Sequence, residues 1–286
     1  MENKLLSGTQ LLLVEKGAGL FSAVLHYGDG TEKRLPATMP AKDLIAATEI
    51  DYRGYRREIK RFREEHPLFQ VRLDISAADF EDLVAEALLL PSMLQKNDPV
   101  SFFVLGELLN QSLQAEDDGS ASFLLNAAEH LLYVLEDPIR TQVCLRNIFE
   151  VTFDGMERAT QQERFVKLCQ TYPDVGKLCD PSTLPNVEPE QRIFRVNSIF
   201  GLRMLELVLY FQQDNQRIAR CDYCWGWFVP KTKKATRYCD RVTDGFPCKK
   251  RGARFKRNLV EEQDGALRVC NQLRDRMYAR FLRWQD

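Results

Sequence analysis

Four cysteines near the C-terminus have the residue type and spacing of a metal site. Two residues separate Cys221 from Cys224, fourteen separate Cys224 from Cys239, and eight separate Cys239 from Cys248. Two cysteines at the first spacing reach one ion across a tight turn, and a second pair from elsewhere in the chain completes a tetrahedron. We therefore expect a structural zinc site. An iron site or cluster, and thiols that share no ion, are the alternatives.

The other cysteines do not have ligand spacing. A redox role for Cys221 and Cys224 would need a thioredoxin-like βαβ pattern, which the surrounding sequence lacks. Cys270 lies on the apolar stripe of a C-terminal helix, with Leu273, Met277 and Phe281 at helical spacing, and we expect it in a core. Three further cysteines stand alone: Cys144, Cys169 and Cys179.

Aromatic residues flank the first cysteine pair. A module of about thirty residues has little core of its own, so we expect Trp225, Trp227 and Phe228 to pack over the metal. An exposed Trp or Tyr could instead stack on a nucleic-acid base.

The net charge of the chain conceals two oppositely charged parts. The 286 residues carry a formal charge of −1, yet residues 217–286 hold 18 Lys and Arg against 8 Asp and Glu. This part is therefore +10 and the rest −11. A zinc ion with four thiolates carries a charge of −2, so it offsets only two of these positive charges. The remaining positive charge favours contact with nucleic-acid phosphates. The alternative is a basic surface that meets acidic protein, either the chain's own N-terminal part or a partner.

Three short segments resemble a known kind of zinc module: Cys221-Asp-Tyr-Cys224-x-x-x-Phe228, Arg237-Tyr-Cys239 and Cys248-Lys-Lys-Arg-Gly-Ala253. They are similar to the C-terminal modules of bacterial CGNR-type zinc-finger proteins, and closer to an uncharacterised bacterial (Firmicutes-type) family with a long variable N-terminal region. The resemblance covers roughly residues 190–286, and its specific part is 217–257. The CGNR pattern has Cys-Gly-Asn-Arg where this chain has Cys-Lys-Lys-Arg.

The resemblance implies that the four cysteines bind zinc and that the last one opens a basic helix. On this basis we expect five side chains of that helix to contact phosphates: Lys249, Lys250, Arg251, Arg254 and Arg257.

The rest of the chain reads as mainly helical. Residues 9–37 have the pattern of a β-hairpin, with a turn signal at Gly28-Asp29-Gly30. Helical periodicity follows from about 43 to 67 and from 76 to 90. Further helices are expected at about 100–115, 120–135, 139–152 and 157–170, with Asp137-Pro138 as one of the breaks.

A cluster of prolines predicts the main boundary. Four of the twelve prolines lie within 173–189, which a helix cannot continue through. We therefore expect a helical body at 1–187, and at 188–286 a helix from Arg192 to Gln213, a treble-clef-like or ribbon-like zinc module at 217–257, and a helical tail.

No catalytic motif is found. The histidines at 26, 66 and 130 have neither ligand nor triad spacing, there is no phosphate-binding loop, and four cysteine ligands leave zinc no position for water. No signal or membrane-spanning segment is seen, which favours a cytoplasmic protein. The sequence thus predicts a non-enzymatic zinc protein that binds nucleic acid, DNA rather than RNA, as a transcriptional regulator, with residues 1–187 sensing a ligand, self-associating or binding a protein. The alternative is a scaffold protein with a purely structural zinc module.

Overall fold

The computed structural model divides the chain into an N-terminal unit, Met1–Arg217, and a C-terminal unit, Ile218–Asp286. The description covers residues 10–66, 69, 77–113, 121–153, 158–172, 193–196, 198–213, 217–231, 236–243 and 245–283. Helices predominate, and a small antiparallel sheet lies near the N-terminus, so the broad fold prediction is confirmed.

The sheet of the N-terminal unit has the order β3-β2-β1-β4. Its strands are β1 (Gln10–Glu15), β2 (Phe21–His26), β3 (Glu32–Arg34) and β4 (Ile193–Val196). Antiparallel pairing sets Leu12 opposite Val24 and Leu13 opposite Phe194. The predicted hairpin is therefore confirmed, and the glycine turn at 28–30 joins β2 to β3.

Helices pack against this sheet and against one another. In chain order they are α1 (Pro40–Glu49), α2 (Arg53–Glu65), α3 (Ala77–Leu89), a 3-10 turn (Leu90–Leu94), α4 (Pro99–Leu113), α5 (Ala121–Thr152), α6 (Arg158–Thr171) and α7 (Ile199–Gln212). The long α5 contacts all the other α-helices of this unit. Its buried side chains, such as Leu131 and Leu135, form the middle of the core.

The region from 43 to 67 is two helices rather than the single one predicted. The chain leaves helical geometry at Ile50, and Asp51 then accepts a hydrogen bond from the backbone N–H of Arg53. An aspartate that satisfies a free N–H at a helix start favours a new helix. The outer face of α2 is ion-paired, for example between Arg61 and Glu58.

The predicted break at Asp137-Pro138 is wrong, because α5 runs through it. Proline removes one N–H from the helix and pushes against the preceding turn. The side chain of Arg140 spans the proline turn, donating to the carbonyl oxygen of Tyr133 and lying 3.6 Å from its ring centre. Burial of residues on both sides of the proline in one core, such as Leu131 and Ile139, outweighs a local breaker signal.

The structural boundary lies at 217/218 rather than at the predicted 187/188. The segment from Arg192 to Gln213 is not the single helix predicted. Its first part forms β4, whose alternating apolar residues pair with β1. After it, Ser198 caps α7 by accepting from the N–H of Gly201 at 2.9 Å. Both elements therefore belong to the N-terminal unit. The proline cluster at 173–189 lies outside the described residues.

The C-terminal unit contains two short hairpins and two helices. The strands are β5 (Ala219–Arg220), β6 (Trp227–Phe228), β7 (Val242–Thr243) and β8 (Phe246–Pro247), and the helices are α8 (Cys248–Gln263) and α9 (Gly265–Arg283). Across the described part of the chain, no helix has both the length and the hydropathy needed to span a bilayer.

Candidate metal centre

The four predicted cysteines meet at one point of the C-terminal unit. The Sγ atoms of Cys221, Cys224, Cys239 and Cys248 all lie within 4.8 Å of one another. Four sulfurs at about 2.3 Å from one zinc ion would be roughly 3.8 Å apart. The prediction that these residues come together as one potential metal site is confirmed.

The first two cysteines lie on the turn that joins β5 to β6. The N–H of Trp225 donates to the carbonyl oxygen of Cys221 at 2.9 Å, and the N–H of Cys221 donates to that of Gly226 at 3.0 Å. Trp225 has a left-handed backbone, with φ of 60°. This compact turn directs both thiols to the same side, as a Cys-x-x-Cys pair requires.

Cys239 and Cys248 approach from two other segments. Cys239 precedes β7, and its N–H donates to the Sγ of Cys221 at 3.4 Å. Cys248 is the first residue of α8, and its own N–H donates to the carbonyl oxygen of Arg241 at 2.8 Å. The thiol of Cys248 therefore lies at the N-terminus of α8.

The environment of the sulfurs suits metal ligation. Cys221, Cys239 and Cys248 are at most 2% exposed, and Tyr223 and Phe228 pack against them. Burial raises the pKa of Cys221, but backbone N–H groups, including that of Cys239, outweigh it and bring this pKa to about 7. Burial raises the pKa values of Cys224 and Cys239, so these two thiols would release their protons when a metal ion binds.

Two glycines that the sequence analysis did not single out shape the centre. Gly252 faces the ring of Tyr238, and a Cβ at position 252 would overlap that ring. A Cβ at Gly226 would overlap the guanidinium of Arg241, which donates to the carbonyl oxygen of Trp227 at 2.8 Å. Gly226 follows Cys224 by two residues, and Gly252 follows Cys248 by four. This closeness to a ligand could have identified both glycines from the sequence.

The three aromatic residues beside the first cysteine pair differ in their burial and contacts. Phe228 packs on the cysteines, as expected, and Trp227 is 7% exposed. Trp225 is 66% exposed, so the expectation that it packs over the metal is wrong. The guanidinium of Arg220 lies 5.3 Å from the ring centre of Trp225 and 5.1 Å from that of Trp227. This contact leaves a Trp225 face open to solvent.

Several lysine and arginine side chains of α8 are exposed. Successive residues turn by 100°, which places Cys248, Gly252 and Phe255 on one face. Lys250 and Arg254 lie on the opposite half of the helix, and Lys249 and Lys256 lie at its side, roughly a quarter turn from the cysteine face. Four cations are exposed, with no ion pair among the described residues: Lys249, Lys250, Arg254 and Lys256. They form what we call the α8 basic face.

The other two predicted contact residues are engaged within the unit. Arg257 donates to Glu261 at 2.6 Å and to Asp275 of α9 at 2.9 Å. Arg251 points toward Tyr223, with 3.4 Å between its Nη1 and the phenol oxygen, and lies over the ring of Phe246. Both arginines therefore stabilise the unit itself.

The contact between α8 and α9 is polar, whereas the apolar stripe of α9 faces outward. Besides the Arg257–Asp275 pair, Asn271 donates to Glu261 at 2.7 Å. Leu273, Met277 and Phe281 are 53–71% exposed. Cys270 is exposed too, so the prediction that it is a core residue is wrong. Helical spacing showed that these residues share a face, but not what covers that face.

Comparison of the chain with protein-family models, curated proteins and solved structures found no match.

Proposed function

We propose that this protein binds zinc through Cys221, Cys224, Cys239 and Cys248 and binds nucleic acid through the α8 basic face. Four sulfur donors around one point favour zinc, because iron–sulfur clusters need room for several irons and sulfides, whereas these Sγ atoms lie within 4.8 Å of one another. A fully ligated ion has no position for water, so its role is structural. Reduced ligands suit a cytoplasmic location.

The observation that carries the nucleic-acid proposal is the position of the exposed cations. Four of them follow the ligand Cys248 within the first turns of α8: Lys249, Lys250, Arg254 and Lys256. The metal centre would thus fix both the start of the helix and the direction of these side chains. Trp225 adds an exposed aromatic surface of the kind on which unpaired bases stack. A helix that exposes several cations fits the groove and phosphates of duplex DNA, and we propose a regulatory role on that basis.

The test measures binding of the zinc-loaded full chain to labelled duplex DNA, single-stranded DNA and RNA by fluorescence anisotropy. Four phosphate contacts predict a log–log salt slope of about −3.5 on duplex DNA. Replacing Lys250 and Arg254 by Ala removes two contacts and should bring the slope to about −2. Lys33→Ala with Arg57→Ala, which removes two exposed cations of the N-terminal unit, is the matched control. Absence of binding at about 50 mM salt, or equal loss in both double variants, would overturn the proposal.

A scaffold function is the second candidate, and the apolar stripe of α9 supports it. Leu273, Met277 and Phe281 present exposed apolar surface of the kind that marks protein contacts. Under this function, Met277→Ser with Phe281→Ser abolishes capture of a protein partner, and the α8 variants leave it unchanged.

A further inference from the structure

A cavity in the N-terminal unit brings together charged residues that are far apart in the sequence. Its volume is about 180 Å³, and it lies between the sheet, α1, the start of α4, and α7. Apolar side chains such as Leu13, Phe21 and Leu202 line most of it. Four charged side chains complete the lining: Asp43, Asp98, Arg203 and Glu206.

Arg203 and Glu206 are almost fully buried on α7. Their side chains are 9% and 4% exposed, and the Nη1 of Arg203 donates to both carboxylate oxygens of Glu206, at 3.0 and 2.9 Å. Burial raises the pKa of Glu206 to about 7, against the opposing effect of Arg203. Replacing a buried ion pair by apolar residues is often neutral or stabilising, so this pair is poorly explained by fold stability alone.

The two aspartates leave negative charge in the cavity that Arg203 does not balance. Asp98 accepts from the N–H of Ser101 at 3.2 Å and from the phenol of Tyr52, which occupies both of its oxygens. Asp43 accepts from the hydroxyl of Thr38 through Oδ2, and among the described residues nothing donates to its Oδ1. With all groups ionised, three carboxylates face one guanidinium.

We propose that this cavity binds a small organic cation, a primary amine with a compact apolar group. The ammonium would donate to Asp43 and Glu206, and the apolar walls would enclose the hydrocarbon. An anion would meet three carboxylates. A metal ion is not favoured, because in the described part of the chain only the cysteines offer three or more ligand atoms close enough to share one.

The volume sets the size of the ligand. An apolar cavity of about 150 Å³ holds benzene, so this one accommodates about eight non-hydrogen atoms. Pockets that are mostly apolar with a few convergent charged groups are the usual form of small-molecule sites. The N-terminal unit would then sense an amine.

Isothermal titration calorimetry of the zinc-loaded full chain at pH 8 tests the proposal with benzylamine. Benzyl alcohol and benzoate are the uncharged and anionic probes of the same size. We expect benzylamine to bind at about 1 mM or tighter, and at least tenfold more tightly than either probe. Asp43→Asn should weaken binding at least tenfold, whereas Asp51→Asn, an exposed aspartate that does not line the cavity, should leave it unchanged.

A second variant covers the case in which Asp43→Asn does not fold. Ala46 is exposed and lines the cavity, so Ala46→Trp would obstruct it without replacing a buried side chain. This variant should abolish heat of binding and keep the circular dichroism of the parent. The proposal is overturned if benzylamine does not bind at about 20 mM, if the three probes bind equally, or if folded Asp43→Asn or Ala46→Trp binds like the parent.

Discussion

Gly252 lies one helical turn beyond the ligand Cys248, and its Cα directly faces the ring of Tyr238, the residue before the ligand Cys239. The third and fourth cysteines are thus held together by a backbone-to-ring contact in addition to the proposed metal. Any side chain at 252 would separate α8 from the segment that carries Cys239.

Gly252→Ala should therefore weaken the metal centre. Alanine favours a helix over glycine by about 1 kcal/mol, but overlap with the Tyr238 ring should cost about 1–3 kcal/mol. We expect faster zinc loss to a chelator in a colorimetric competition assay. Gly265→Ala is the control, because a Cβ there meets nothing within 4 Å. Equal zinc retention in both variants would show that the close approach does not matter.

Cys239→Ser should remove the metal and unfold only the C-terminal unit. Structural zinc sites couple binding to folding, and the helical body has its own core. Metal analysis should fall from about one zinc per chain to well below one. Limited proteolysis should then cut beyond residue 217 and spare α5. The three tryptophans at 225, 227 and 284 make fluorescence a specific reporter of this unit.

Cys270 should react before Cys144 and the four ligand cysteines in the zinc-loaded protein. It is exposed on α9, whereas burial raises the pKa of Cys144 and a bound metal would protect the four ligands. Maleimide labelling followed by peptide mass spectrometry should find Cys270 modified before these five, and chelation should then make the four ligand cysteines reactive. Faster labelling of Cys221 or Cys248 before chelation would contradict the metal assignment.

The raised pKa of Glu206 predicts that the free energy of unfolding falls as pH rises toward neutrality. Burial raises its folded pKa to about 7, above the ordinary 4.5, so between these values the native state keeps a proton that the unfolded chain releases. The stabilisation is complete below about pH 4.5 and lost as pH rises through about 7, by up to about 3 kcal/mol.

Denaturation at pH 5, 6, 7 and 8, followed by far-ultraviolet circular dichroism, measures this slope. The slope should be smaller in Glu206→Gln, although Asp43 and Asp137, whose pKa values burial also raises, keep part of it. An unchanged slope in the variant would show that Glu206 stays ionised across this range.

The sequence was most informative where ligands are close together in the chain. Cys221 and Cys224 can share an ion because of their spacing alone, and the prediction that Cys239 and Cys248 join them is confirmed. That the ion is zinc stays a proposal. The exposure of Trp225 and Cys270 could not be predicted, because periodicity assigns a residue to a face without showing what packs on it.

The N-terminal unit was harder to predict because its decisive contacts are long-range. Pro138 is a local breaker signal that packing of the long helix overrides. The pairing of β4 with β1 places Ile193 opposite Val14, and Asp43 and Glu206 line the same cavity. One sequence carries no direct signal for contacts between residues so distant.

The pairing of β1 with β4 also has a consequence for synthesis on the ribosome. One edge of β1 pairs with β2 and the other with β4. Because β4 begins at Ile193, roughly 180 residues must be synthesised after β1 before that other edge can pair. At about 5–20 residues per second, the nascent chain carries that edge unpaired for on the order of 10–35 s. During this interval the apolar residues Leu11 and Leu13 offer a template for wrong pairing. Throughout this interval the nascent chain is therefore open to aggregation at this edge.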